Sequence, residues 1–125
     1  MVLTGSQAEA DMFDPRVLPA VPLPASVLNL MGPLSLREML AVIATSHVMV
    51  SGATGSAHIA AACGVPNVSL FDPRRNNLPT RWQPLGKGVV LRPDVPTCEK
   101  CIYEACPYWD WLDQITVDQV AAFVW

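Results

Sequence analysis

Residues 47–71 constrain the fold more than any other part of the chain. His47 to Val50 reads as a short buried strand. Ser51-Gly52-Ala53-Thr54-Gly55-Ser56 is a turn of small residues, and Ala57 to Cys63 is a helix of almost nothing but Ala, Ile and His. Gly64 is a natural helix stop, Pro66 reinforces it, and Asn67 to Phe71 is the next strand. Two strands joined by a helix of this length cannot form a hairpin. They form a crossover unit, and such units build parallel sheets.

The flanking sequence repeats the alternation. Met1 to Thr4 reads as a strand ended by Gly5, and Gln7 to Met12 as a short helix. The proline-rich stretch from Pro15 to Pro24 is unsuited to regular helix or inner strand. Val27 to Leu30 is a strand closed by Gly32-Pro33. Ser35-Leu36-Arg37-Glu38 is a capping box, after which Leu36, Met39, Leu40 and Ile43 fall on one helical face. Asp72 to Leu85 reads as irregular and Val89 to Leu91 as a strand. Residues 93–107 form a cysteine loop, and Thr116-Val117-Asp118-Gln119 opens a last helix running to Trp125. The expected class is α/β, with a Rossmann-like parallel sheet and crossover helices.

Length and composition narrow the function classes. A chain of 125 residues supports one domain with a core, not two. Only 15% of residues are charged, 51% are hydrophobic, and the mean hydropathy is +0.30. Some face is therefore expected to be covered by a missing domain or a partner. The net charge is −3, with no long block of Lys or Arg, which argues against nucleic-acid binding. There is no basic, apolar leader, and no apolar run reaches the roughly 18 residues that span a bilayer. A cytoplasmic protein without a transmembrane segment, at most peripheral to the inner membrane, is the expectation.

The chemistry lies in the turn before the alanine helix. Small residues let a ligand approach the backbone, and the first N–H groups of a helix are unpaired at the positive end of its dipole. A phosphate-bearing ligand at Thr54, Gly55 and Ser56 follows. His58, in the first turn, is placed to donate to the same anion. The turn is not a P-loop, because no Lys follows the second Gly, and the Gly-x-Gly-x-x-Gly spacing fails. The same residues also suit a ligand-free turn that packs a small-residue helix close to a sheet.

At these residues the chain resembles glycosyltransferase family 9, the lipopolysaccharide heptosyltransferases. The matching elements are Leu3-Thr4-Gly5 with Glu9, Leu30-Met31-Gly32 with Ser35-Leu36-Arg37-Glu38, and Thr54-Gly55-Ser56-Ala57-His58-Ile59-Ala60-Ala61-Ala62-Cys63-Gly64-Val65-Pro66. Phe71-Asp72-Pro73, Arg81-Trp82-Gln83-Pro84 and Cys98-Glu99-Lys100-Cys101 follow in order. The resemblance implies the nucleotide-sugar-binding, C-terminal half of a two-domain GT-B glycosyltransferase, with an ADP-heptose-like donor as substrate and no separate cofactor. It implies that Thr54, Gly55 and His58 face the donor diphosphate, with Ser56 in the same turn. Glu9 would lie near the ribose or adenine and Met31 near the base, with Gly32 counted among the substrate-binding residues.

Three positions depart from the family pattern. Its Asp before Thr-Gly, which helps hold the donor sugar, is Ala53. Its Pro after Thr-Gly is Ser56, and the Gly of its Phe-Gly-Pro turn is Asp72. The acceptor-activating carboxylate of the family belongs to the N-terminal domain, so no catalytic residue is assigned here. The first strand and helix of the C-terminal domain are also expected to be missing. The chain reads as a partial donor domain over residues 1–125, inactive alone, its open sheet edge covered by self-association.

Cys98, Cys101 and Cys106 begin like a metal site, but a structural zinc site takes four ligands and only three are near. Zinc is the candidate metal, and free or partly oxidised thiols are the favoured state. Arg74, Arg75 and Arg81 suit either anionic ligand groups or a solvated loop. The functional alternatives are a non-catalytic nucleotide or nucleotide-sugar binding module and, third, a metal or redox protein built on the cysteine loop.

Overall fold

The computed structural model of the chain describes every residue except Cys101, Tyr103, Glu104, Trp109 and Trp125. It divides into two compact units, Met1–Val42 and Ile43–Trp125.

The first unit holds strand β1 (Val2–Gly5), helix α1 (Gln7–Arg16), strand β2 (Leu28–Met31) and most of helix α2 (Leu36–Ala44). β1 and β2 pair in parallel, with Val2 opposite Leu28 and Gly5 opposite Met31. α1 starts at a capping box that the sequence reading passed over. Ser6 Oγ accepts from the Glu9 backbone N–H at 3.3 Å, and Glu9 Oε2 accepts from the Ser6 N–H at 2.7 Å. α1 also runs past Met12, through Pro15. Proline lacks the N–H that would bond to Asp11. In the last turn this removes one bond, while the Val17 N–H still closes onto the Phe13 carbonyl at 2.8 Å. α2 opens on the expected box, Glu38 Oε2 accepting from the Ser35 N–H at 2.8 Å.

The second unit holds strand β3 (Met49–Gly52), helix α3 (Gly55–Ala62), strand β4 (Asn67–Leu70), helix α4 (Pro79–Trp82), strand β5 (Gly88–Leu91) and helix α5 (Val117–Val124). Single turns of 3₁₀ helix lie at Arg75–Asn77 and Trp111–Gln114. The three strands form a parallel sheet in the order β3-β4-β5, so the crossover unit read from the sequence is present. β3 was expected to be buried, yet Val50 is 41% exposed. β3 lies at one side of this three-stranded sheet, whereas β4 is paired on both sides.

The core of the second unit forms around β4. Ile43, Ala57, Ala60, Val65, Val68 and Phe71 are buried, and α3 and α5 both pack on β4. The alanines of α3 permit close approach to the sheet, and both that are buried are fully so. β4 also buries Asn67 and Ser69, which share a face and satisfy each other. The Ser69 hydroxyl donates to Asn67 Oδ1 at 2.9 Å, and Asn67 Nδ2 donates to the Lys87 carbonyl at 3.3 Å.

α3 ends in a complete Schellman motif. The Val65 N–H donates to the Ala60 carbonyl at 2.9 Å and the Gly64 N–H to the Ala61 carbonyl at 3.0 Å, with Gly64 at φ +74°. That conformation is strained for a residue with a Cβ, which is why the stop at Gly64 was readable. Among the described residues no helix is long and apolar enough to cross a membrane.

Candidate functional site

All three strands of the second unit run the same way, so their carboxyl ends share one edge, the side on which open α/β sheets bind ligands. The Thr54 turn leaves β3 at that edge. Thr54 is extended, with φ −131° and ψ 170°, and Gly55 and Ser56 are already helical. α3 thus starts two residues earlier than expected, because the glycine and serine join the first turn rather than the loop.

The cap of α3 is left open. Thr54 occupies the N-cap position, where its hydroxyl would ordinarily accept from a first-turn N–H. Instead Thr54 Oγ1 and Ser56 Oγ bond to each other at 2.8 Å, and no side chain caps the helix. α1, α2 and α5 each carry a reciprocal box; in α5, Gln119 Oε1 accepts from the Thr116 N–H at 2.7 Å. Gly55 faces open space: a Cβ there would meet nothing within 4 Å. His58 follows on the exposed side of the first full turn. Thr54, Gly55, Ser56 and His58 are therefore together, around helix amides that no side chain has claimed.

Glu9, Met31 and Gly32 lie in the first unit, at the carboxyl ends of β1 and β2. Glu9 and Met31 converge on Gly5, where a Cβ would stand 3.0 Å from Met31 Cε and 3.3 Å from Glu9 Oε2. They line one side of an open groove of about 320 Å³ with Met12, Phe13, Arg16 and Val17. Gly32 has φ +93°, and a Cβ there would collide with Gln7 Oε1 at 2.6 Å. The Glu9 carboxyl is held below its ordinary range, first by the Ser6 N–H and then by the Ser6 hydroxyl. Both bonds fall on Oε2. Among the described residues Oε1 has no donor, so Glu9 caps α1 through one oxygen alone.

A cluster that sequence reasoning missed stands just past the end of β4. Asp72 is 6% exposed. Its Oδ1 accepts from the Arg74 N–H at 2.9 Å, and its Oδ2 from Arg74 Nε at 2.9 Å and Asn77 Nδ2 at 3.0 Å. Burial alone would raise the Asp72 carboxyl; the Arg74 and Asn77 bonds and the Arg74 charge outweigh it and hold the group below its ordinary range. Arg92, one residue past β5, donates from Nε and Nη2 to the Asp72 carbonyl at 3.3 and 3.1 Å. The only sequence sign of the cluster was Asp72 in a turn where the resembled family carries Gly.

The other candidates resolve less favourably for ligand binding. Arg74 is engaged by Asp72, and Arg75 donates from Nη1 to both Glu99 oxygens at 2.8 Å. Arg81 stacks 5.1 Å from the centre of the Trp82 ring. Cys98 and Cys106 are free thiols, and Cys101 lies outside the described residues. Among the described residues no group of three or more His, Cys, Asp or Glu is placed to hold a metal ion.

Residues 1–111 match the model of glycosyltransferase family 9 (heptosyltransferase). Two solved structures are similar. One is a glycosyl transferase family 9 protein from Veillonella parvula, with 20% identity, a TM-score of 0.71, and coverage of 98% of this chain and 34% of that one. The other is the ADP-heptose LPS heptosyltransferase II of E. coli, with 26% identity, a TM-score of 0.62, and coverage of 97% and 36%. This chain thus spans about a third of the length of either. No curated protein matches it.

Proposed function

The chain belongs to glycosyltransferase family 9, and from that premise we propose that it is the donor-binding part of a glycosyltransferase of lipopolysaccharide or surface-polysaccharide synthesis. The donor is a nucleotide-sugar of the ADP-heptose kind. The observation that carries this reading is the open cap of α3 at the carboxyl edge of the sheet. Unclaimed helix amides beside Gly55 bind the diphosphate, with Thr54, Ser56 and His58 around it. As the donor bond breaks, negative charge grows on the leaving diphosphate, and a fixed positive helix end stabilises that charge without reorganising. Glu9 Oε1 accepts from the ribose hydroxyls, and Met31 and Gly32 meet the base. Residues 1–125 are then part of one donor domain, and the acceptor domain with its catalytic base lies elsewhere. The chain alone turns nothing over, and its place is the cytoplasm.

Ala53 favours a second reading. It stands at the end of β3 beside the turn and offers no carboxylate to a donor sugar. A module that binds the nucleotide without transferring a sugar would tolerate it.

Calorimetric titration of the chain with ADP, UDP, GDP and their sugar conjugates tests both. One nucleotide is expected to bind, and Gly55→Trp to abolish binding without unfolding, since the new side chain enters open space. Binding of the bare nucleotide as tightly as its conjugate would favour the second reading. Absence of binding at millimolar concentration would sink both.

A further inference from the structure

The register of the sheet places Arg92 on the same edge as the Thr54 turn, two strands away. Gly52 pairs with Leu70 and Leu70 with Leu91, so the three strands end on one line. The Phe71 N–H continues the ladder to the Leu91 carbonyl at 2.9 Å. Arg92 is therefore one step past the end of β5, on the edge where the turn leaves β3. Two strand spacings, about 10 Å, separate β5 from β3.

Its charge is not balanced there. Arg92 is partly buried, and the residue after it, Pro93, is buried. The guanidinium is anchored by two bonds to a backbone carbonyl, which fixes its plane but carries no net charge. The carboxylate of Asp72, the residue whose carbonyl Arg92 holds, is engaged by Arg74. Among the described residues no carboxylate lies within ion-pair distance of Arg92, and its Nη1 has no acceptor. A partly desolvated cation without a counter-ion is unfavourable unless something supplies the anion. An arginine pinned along one edge of its fork has little freedom left to lose when the other edge binds.

We propose that Arg92 is a second oxyanion-binding residue at this edge, taking a phosphate or carboxylate of a ligand in addition to the group held at α3. The inference rests on the reading of the carboxyl edge as the ligand side. The oxyanion belongs either to the donor or to an anionic acceptor.

The test is titration of the 125-residue chain, its Arg92→Gln variant and its Gly55→Trp variant with ADP and, separately, with inorganic phosphate at constant ionic strength. Arg92→Gln is expected to weaken binding of one probe by about tenfold or more, the size of a lost charge-assisted hydrogen bond. If ADP is the probe weakened, the oxyanion is the donor's. If only phosphate is weakened, and it still binds Gly55→Trp, the oxyanion belongs to the other substrate. If Arg92→Gln leaves both unchanged, the proposal is overturned, while loss of ADP in Gly55→Trp would keep the donor reading standing. Phosphate binding that depends on Arg92 in a chain blind to ADP would have the reverse meaning. Should Arg92→Gln unfold, the Nε–H resonance of Arg92 in the unmodified chain decides: it shifts on phosphate addition or the proposal fails.

Discussion

Asp72 shows how one residue can be opaque in sequence and central in the fold. Two of its partners, Arg74 and Asn77, are near neighbours, but Arg92 is twenty positions away and donates to the backbone. No spacing rule announces such a bond. Because its folded-state carboxyl sits below its ordinary range, Asp72 holds a proton less readily folded than unfolded. The stability it adds is therefore fully present above the unfolded value of about 4 and is lost as pH falls through the lower folded value. Asp72→Asn should cost about 1–3 kcal/mol at neutral pH, the scale of hydrogen bonds to a charged group, with Arg74's half exposure favouring the low end. Urea unfolding at pH 7 and near pH 3 checks this: the gap between variant and parent should narrow in acid. A gap independent of pH would mean that shape, not charge, accounts for the loss.

Most elements with a local signature were legible, although two short-range ones, the Ser6–Glu9 box and α4, were passed over. The boxes at Ser35 and Thr116, the stop at Gly64 and the strand–turn–helix at residues 49–62 are short-range features, and all are present. α1 was cut short because Pro15 is a helix breaker in general but tolerable in a last turn. Glu9 was read only as a ligand contact, since its pairing with Ser6 is the weaker-looking of two roles it serves at once. α4 was missed because Pro79 sits at its first turn, where proline starts a helix rather than ending one. The open cap of α3 was legible as a turn, but only geometry shows that Thr54 turns to Ser56. The elements also differ in support. β4 is paired on both sides and has the core of its unit packed around it, whereas β1 and β2 make a two-stranded sheet whose unit buries only Ala10 among the described residues. Hydrogen exchange should find the amides of Val68, Ser69 and Phe71 the slowest in the chain and those of Leu3 and Asn29 far faster. Equal protection in both sheets would contradict this division.

At the scale of the molecule, the low charge content read from the sequence has a structural counterpart. Val2, Met12, Val21, Leu28 and Leu36 of the first unit are each more than 40% exposed, and in the second unit Leu85 and Val117 are 82% exposed and Phe123 53%. Scattered apolar residues on a surface are ordinary, but charged residues are only 15% of this chain and leave little to separate them. A chain that spans about a third of its solved relatives would in a longer protein place some of these residues against the remainder. Without that remainder the hydrophobic effect favours the next available surface, a second copy. Sedimentation velocity on the isolated chain from about 1 to 100 µM should therefore show a mass that rises with concentration. Added salt should not reverse it, because salt weakens association between charges and leaves apolar burial intact. A mass that stays monomeric throughout would mean that these side chains are individually solvated and form no common surface. Association that salt dissolves would instead assign the contact to the few charged groups.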